Sequence, residues 1–174
     1  MGHQRLSDTT AADDEKEGLL LTAPVSAEPV LPFEAMEIFV YSRNAFDAAR
    51  RHEAPHVVIS ITSSPDDVAR VRANKACRGI LRLSFPDADS PSERFFEHEL
   101  FSREQAAFIW NFVDEHLPHI ERILVHCDAG FSRSPAVGAA LARVLNGDDA
   151  EFFGGRYRPN MLVYRSLLDP SLRR

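Results

Sequence analysis

Short apolar runs alternate with amphipathic segments along most of the chain. Four apolar runs predict buried strands, at 36–41, 56–62, 79–85 and 123–125. Segments with apolar positions at helical spacing predict helices, at 44–51, 66–75, 102–117, 135–141 and 161–168. Strands separated by helices favour an α/β fold. We therefore predict a central, mostly parallel sheet of four to five strands with helices on both faces.

A capping box marks the start of the longest predicted helix. Ser102 precedes Gln105 at the spacing at which each side chain can bind the backbone N–H of the other residue. Apolar positions then recur at helical spacing, at Ala106, Ile109, Phe112, Val113 and Leu117. This pattern predicts an amphipathic helix.

The composition fits one buried domain preceded by an acidic segment. The chain has 174 residues, of which 44% are hydrophobic, which suffices for one well-buried core. Residues 1–34 combine Thr, Ala, Asp and Glu with several prolines and little periodicity, and they hold most of the net charge of −6. We therefore predict an acidic, flexible N-terminal tail over 1–34 and a single domain over 35–174.

Charge, hydropathy and cysteine content exclude several classes of protein. The sequence has no basic stripe for nucleic acid, no polybasic patch and no apolar run long enough to span a membrane. Cys77 and Cys127 make neither a disulfide framework nor a zinc cluster. Cys77 is expected to pack as a small hydrophobe, with a disulfide to Cys127 as the alternative. We expect a cytoplasmic protein without a metal, a nucleic acid partner or a membrane partner.

The segment 126–134, His-Cys-Asp-Ala-Gly-Phe-Ser-Arg-Ser, joins the last predicted strand to the helix that follows. Backbone N–H groups of a tight loop and of a first helical turn bind anions, and they favour a thiolate at Cys127. Arg133 supplies a planar guanidinium that can hold two phosphate oxygens, and Gly130 lets the backbone turn sharply. The segment, called the cradle below, therefore predicts a site in which a phosphate meets a thiolate.

The cradle resembles the HC-x5-R-[ST] signature of the cysteine-dependent protein tyrosine phosphatases. The longer stretch ILVHCDAGFSRSPAVGAALA resembles their small dual-specificity branch, and the C-terminal RYRPNMLVYRSLL is similar to bacterial members of it. The resemblance implies the protein tyrosine phosphatase fold. It also implies hydrolysis of a phosphomonoester through a cysteinyl-phosphate intermediate, with no metal or other cofactor.

The resemblance implies a role for each residue of the cradle. Cys127 is the nucleophile, and Arg133 holds the phosphoryl group. Ser134 donates a hydrogen bond to the departing thiolate, although it is also suited to be a helix N-cap ahead of Pro135. His126 tunes and holds the nucleophile. The phosphate oxygens lie against backbone N–H groups at Asp128, Ala129, Gly130, Phe131, Ser132 and Arg133.

A general acid must protonate the leaving oxygen, and the family carries this Asp on a loop upstream of the cysteine. Two candidates follow the third predicted strand, Asp87 and Asp89. The order Phe85-Pro86-Asp87 fits the position that several family members use, so we favour Asp87 and keep Asp89 as the alternative. Either carboxylate is also suited to cap a turn. Asn160 is expected to brace the cradle or to cap the last helix.

The resulting hypothesis is a protein tyrosine phosphatase that acts on a phosphoprotein or phosphopeptide, with dual specificity left open. The alternatives are a phosphate-binding pseudophosphatase or adaptor, and a phosphoinositide or RNA 5′-phosphatase that uses the same cradle. Lipid-directed relatives often carry lysines where this chain has Asp128 and Phe131, and an acidic rim disfavours a polyanionic substrate. The sequence leaves the oligomeric state and the physiological substrate open.

Overall fold

The computed structural model describes residues 35–48 and 52–172, so the predicted tail over 1–34 lies outside the described residues. Its strands are β1 (Glu37–Ser42), β2 (His56–Thr62), β3 (Cys77–Ser84) and β4 (Arg122–Cys127). They form one sheet in the order β1-β4-β2-β3, and every neighbouring pair is parallel. This confirms the predicted α/β class, with the lower of the two strand numbers.

Helices connect β1 to β2 and β3 to β4, and helices cover the sheet. The α-helices of the described residues are α1 (Arg43–Ala48), α2 (Arg103–His116), α3 (Arg133–Leu145), α4 (Ala150–Phe153) and α5 (Met161–Leu167). Single 3-10 turns lie at Glu97–Glu99, Leu117–His119 and Pro170–Leu172. No helix in this part of the chain is long and apolar enough to cross a membrane.

The two central strands carry most of the buried apolar residues of the sheet. β4 pairs on both sides, so that Val125 lies opposite Val40 of β1 and Ile59 of β2. Every residue of β2 is buried. A strand with neighbours on both edges and helices over its faces meets no water, which explains the unbroken apolar run in the sequence.

Helices lie on both faces of the sheet, as predicted. Side chains alternate between the faces along a strand, so Val125 and His126 of β4 point in opposite directions. Val125 belongs to the main core, to which α2 contributes Trp110 and α3 contributes Val137. His126 stacks on Phe46 of α1 with the ring centroids 4.6 Å apart.

The longest helix begins at the predicted capping box. The Gln105 N–H donates to Ser102 Oγ at 3.2 Å, and the Ser102 N–H donates to the Gln105 side chain at 3.0 Å. On the buried face, the indole N–H of Trp110 donates to the Leu167 carbonyl at 2.9 Å. This bond ties α5 to α2, and α5 also packs against α3.

The helix predicted over 66–75 is wrong, because the connection from β2 to β3 forms turns and irregular backbone instead. Side chains from other elements form hydrogen bonds with this connection and fix its non-helical backbone. Arg43 binds both carboxylate oxygens of Asp67, at 2.8 and 3.0 Å, and Arg82 Nη1 donates to the Ala69 carbonyl at 2.9 Å. Tertiary contacts therefore override a weak local helix propensity.

All four strands end at the same edge of the sheet, because they are parallel. Their last residues are Ser42, Thr62, Ser84 and Cys127. The segments that follow come from separate parts of the chain, at 43, 63, 85–89 and 128–132. This edge therefore gathers side chains that are distant in sequence.

Candidate active site

The cradle is a loop between β4 and α3 that turns at Gly130. Gly130 has a φ of 68°, in the left-handed region that glycine adopts readily. A Cβ atom at this position would lie 2.3 Å from the Ser42 backbone nitrogen. The loop is therefore pressed against the junction of β1 and α1, and both its conformation and its surroundings require a glycine.

Two donors reach the sulfur of Cys127, which is 1% exposed. The Gly130 N–H donates to Sγ at 3.2 Å, and Ser134 Oγ donates to it at 3.0 Å. Ser134 is not the N-cap, because α3 begins at Arg133 and Ser132 occupies the cap position. Both donors are placed to stabilise negative charge that develops on the sulfur during a reaction.

Arg133 places a buried guanidinium beside the cradle, with its side chain only 5% exposed. Nη1 donates to the Phe85 carbonyl at 2.9 Å and to Ser63 Oγ at 3.0 Å, and Nη2 donates to Asp128 Oδ2 at 2.7 Å. Nε is buried and has no hydrogen-bond partner among the described residues. A buried guanidinium with an unused N–H is suited to bind an oxyanion.

Asp128 turns its carboxylate toward two arginines. Oδ2 accepts from Arg133 and, at 2.8 Å, from Ser63 Oγ, while Oδ1 lies 2.6 Å from Nη2 of Arg43. Burial raises the pKa of Asp128, but the hydrogen bonds from Arg133 and Ser63 and the nearby positive charges lower it more, so the net pKa lies below its ordinary value. The carboxylate is thus paired with two arginines, which offset its negative charge at the rim of the cradle.

Asp87 lies against the cradle. Ser132 Oγ donates to Asp87 Oδ1 at 2.7 Å, and Asn160 Nδ2 donates to the same oxygen at 3.1 Å. The loop after β3 is therefore connected to the cradle through a carboxylate.

Asp89 has a different environment. Its Oδ1 accepts from the backbone N–H of Leu162 at 3.4 Å, in the first turn of α5. A carboxylate at a helix N-terminus stabilises the helix. Of the two candidate acids, Asp87 is the one that contacts a cradle residue.

Asn160 makes the contacts expected for both of its predicted roles, as a helix cap and as a brace for the cradle. Its Oδ1 accepts from the Val163 N–H at 3.0 Å, which makes it the N-cap of α5. Its backbone N–H donates to the Ser132 carbonyl at 3.2 Å, in addition to the bond from its side chain to Asp87. Asn160 is 3% exposed and links α5, the cradle and the Asp87 loop.

No family model matches the sequence, and no curated protein matches it either. Solved structures do match. DUSP15 has a TM-score of 0.54 and 19% identity, covering 80% of this chain and 88% of that chain. Human DUSP28 has a TM-score of 0.51 and 16% identity, covering 76% of this chain and 90% of that chain. The chain has the fold of the dual-specificity phosphatases.

A third structure with the dual-specificity phosphatase fold is the human tyrosine phosphatase-like serine/threonine/tyrosine-interacting protein. It has a TM-score of 0.53 and 17% identity, covering 77% of this chain and 90% of that chain. These similarities show the fold that the cradle sequence implied. The similarity to bacterial members of the branch stays a prediction.

His126 lies within this phosphatase fold on the opposite face of the sheet from Cys127. It is fully buried, and its ring stacks on Phe46 with an interplanar angle of 22°. Because neighbouring residues of a strand point to opposite faces, the imidazole packs against α1 on the face of the sheet that is opposite to the Cys127 side chain. This position suits a residue that holds the end of β4 in place.

Cys77 lies at the other end of the sheet. It starts β3 and is level with His56 of β2, which is in turn level with Arg122 at the start of β4. Cys127 ends β4, and a strand rises about 3.3 Å per residue, so the two cysteines are roughly 16 Å apart along the sheet. A disulfide requires Cα atoms within about 7 Å, so the alternative of a protective disulfide is wrong.

Sequence reasoning missed Ser63 and Arg43, which complete the surroundings of Arg133 and Asp128. Each directly follows a strand, Ser63 after β2 and Arg43 after β1. The position of polar residues after predicted parallel strands was the signal that could have identified them. The described residues contain no group of three or more His, Cys, Asp or Glu side chains placed to hold a metal ion.

Proposed function

We propose that this protein is a phosphomonoester hydrolase that removes phosphate from phosphotyrosine in proteins or peptides through a cysteinyl-phosphate intermediate. The observation that carries the proposal is the buried guanidinium of Arg133, whose Nε has no partner among the described residues, in the same cradle as a sulfur that two donors reach. An anion-binding group and a stabilised thiolate in one cradle are the two requirements of this chemistry.

In the first step, the thiolate of Cys127 attacks phosphorus and the bond between phosphorus and the ester oxygen breaks. The leaving oxygen takes a proton from Asp87, whose carboxyl oxygen lies 2.7 Å from Ser132 Oγ in the cradle. Arg133 and the cradle N–H groups hold the three remaining phosphoryl oxygens as charge shifts among them. The products are the dephosphorylated residue and the phosphocysteine.

In the second step, water attacks the phosphocysteine and passes a proton to the carboxylate of Asp87. The bond between sulfur and phosphorus breaks, and its electron pair returns to Sγ as a thiolate. Ser134 Oγ, 3.0 Å from the sulfur, stabilises that departing charge with its hydrogen bond. The step releases inorganic phosphate and restores both Cys127 and the protonated Asp87.

The test is hydrolysis of p-nitrophenyl phosphate and of a phosphotyrosine peptide by the purified full chain, with a metal chelator present. We expect turnover, and we expect Cys127→Ser to lower it by a factor of about 10⁴ or more, because the nucleophile is lost. Cys77→Ser is the matched control. It makes the same replacement of sulfur by oxygen at the opposite end of the sheet, and it should leave turnover unchanged.

Two results would contradict the proposal. One is turnover that survives Cys127→Ser, and the other is phosphate binding by a wild-type chain that hydrolyses neither substrate, which would favour the adaptor alternative. Phosphoinositide vesicles and RNA with a 5′-phosphate complete the comparison. The paired state of Asp128 weakens the charge argument against these substrates, so the preference for a phosphopeptide now depends on Phe131, which is 43% exposed at the cradle.

A further inference from the structure

We propose that Asp128 is a positioning residue for Arg133. Together with Ser63, its carboxylate holds one edge of the guanidinium so that the other edge faces the phosphate. The inference rests on the proposed function, because it concerns how the same cradle receives its substrate. The HC-x5-R signature leaves the side chain at position 128 open, and only the backbone N–H of Asp128 has a role in the sequence-based prediction. The inference gives the side chain a role as well.

The geometry of the guanidinium separates its donors into two sets. Arginine has five N–H groups in a fixed plane. The two on Nη1 are used by the Phe85 carbonyl and by Ser63 Oγ, and one on Nη2 is used by Asp128 Oδ2. The N–H of Nε and the second N–H of Nη2 share the remaining edge, and Nε has no partner among the described residues. That edge matches two oxygens of a phosphate.

Asp128 and Ser63 close the protein-facing edge as a unit. Ser63 Oγ accepts from Nη1 at 3.0 Å and donates to Asp128 Oδ2 at 2.8 Å, and the same oxygen accepts from Nη2 at 2.7 Å. The three groups form a ring of hydrogen bonds around the end of the guanidinium. Rotation of Arg133 away from the cradle would break all of these bonds at once.

Further charges hold Asp128 in turn. Arg43 Nη2 lies 2.6 Å from Asp128 Oδ1, and both carboxylate oxygens of Asp67 bind Arg43 at 2.8 and 3.0 Å. Negative and positive groups thus alternate from Asp67 at the surface to Arg133 in the interior. Each charge has an opposite charge beside it, so the carboxylate of Asp128 stays ionised next to the phosphate site.

The alternative is that Asp128 competes with the substrate for Arg133. Both roles bring a carboxylate to the guanidinium, but they predict opposite effects of its removal. A competing carboxylate would have to occupy the edge that receives the phosphate, whereas this one shares its edge with Ser63. Removing a positioning group weakens phosphate binding, and removing a competitor strengthens it.

The experiment compares Asp128→Ala, Asp128→Asn and Asp66→Ala in the full chain. Asn retains an oxygen that can accept from Nη2 while it removes the charge. Asp66→Ala removes an equal charge from an exposed position outside the hydrogen-bonded set, as the matched control. The readouts are the dissociation constant of inorganic phosphate, the inhibition constant of orthovanadate, and kcat and KM for p-nitrophenyl phosphate.

We expect Asp128→Ala to weaken phosphate and orthovanadate binding about 10- to 100-fold, with a matching rise in KM, because Arg133 loses its orientation. Asp128→Asn should recover most of that loss, and Asp66→Ala should behave as wild type. Phosphate binding as tight as wild type, or tighter, in Asp128→Ala would overturn the inference. Equal losses in Asp128→Ala and Asp128→Asn would also do so, since charge alone would then matter.

Phosphate binding is measured separately from turnover, so the two proposals fail in different ways. A chain that binds phosphate through Arg133 but hydrolyses nothing contradicts the proposed function and still tests the role of Asp128. If Asp128→Ala hydrolyses phosphate esters as well as wild type, the function is supported and the positioning role is contradicted. Thermal unfolding of each variant identifies any that fails to fold, and Asp128→Asn then carries the comparison.

Discussion

At the scale of single residues, hydrogen bonds distinguish two side chains that are both candidate acids in the sequence. Asp87 and Asp89 lie on one loop and have the same chemistry, but only Asp87 contacts a cradle residue. Asp89 binds the first turn of α5 instead. The choice between two acids two positions apart depends on where one loop lies relative to another, which no local pattern encodes.

We predict that Asp87→Asn lowers kcat about 10²- to 10⁴-fold on a phosphotyrosine peptide, because the leaving phenoxide then departs without a proton. The loss should be smaller on p-nitrophenyl phosphate, whose leaving group is more stable as an anion. Steady-state kinetics on both substrates measure the difference. Asp89→Asn is the matched control and should keep kcat within a few-fold of wild type. A large kcat loss in Asp89→Asn with none in Asp87→Asn would reverse the assignment.

At the scale of elements, the cradle depends on the way in which its loop packs against β1 and α1. The turn at Gly130 leaves no space for a side chain, since the nearest atoms belong to the backbone of Tyr41 and Ser42. A backbone neighbour cannot rotate away as a side-chain tip can. The loop and the start of α1 therefore form one packed unit.

We predict that Gly130→Ala destabilises the fold by more than the roughly 1–3 kcal/mol that a left-handed backbone costs a non-glycine residue, because the new methyl also meets backbone. Gly147→Ala is the matched control. Gly147 has a φ of 80° and no atom within 4 Å of the added methyl, so it should show the conformational cost alone. Denaturant unfolding measures both, and equal losses would contradict the close packing of the cradle.

Elements also show where sequence reasoning succeeds and where it fails. The strands and the cradle were predictable, because an unbroken apolar run and a strand-loop-helix motif are local patterns. The helix predicted over 66–75 failed, because Arg43 and Arg82 hold that segment from outside it. The hydrogen-bonded ring of Ser63, Asp128 and Arg133 could not be predicted either. Its members meet because β2 and β4 are neighbours in the sheet, and no local pattern in the sequence gives the strand order.

At the scale of the whole molecule, the stability of the fold should depend on pH through a contact outside the cradle. Tyr164 of α5 donates a hydrogen bond to Asp149, which precedes α4. Burial, followed by this bond and the charge of Asp149, raises the pKa of Tyr164 to about 12. The neutral phenol stabilises the fold at any pH below its ordinary pKa of about 10, and this contribution is lost as the pH rises toward about 12.

We predict that the tyrosinate absorbance of the native chain has a step near pH 12 that is missing in Tyr164→Phe. The free energy of unfolding of wild type should fall more steeply above about pH 10 than that of the variant, because the variant lacks the stabilised phenol of Tyr164. Asp149→Asn is the control. It removes the negative charge of the acceptor and should move the Tyr164 step to a lower pH. Tyr41, whose pKa burial also raises, is present in both chains, so a step of undiminished size in Tyr164→Phe would contradict the assignment.

The strand order has a consequence for how the active site comes into existence. β4 lies between β1 and β2, although it is the last strand in the chain. Among the described strands, β4 is the one that pairs with β1, so β1 joins the sheet when residues 122–127 insert. Such distant pairings make folding slow. During synthesis or refolding, phosphate binding should therefore be among the last properties to emerge, which makes it a direct report of a completed sheet.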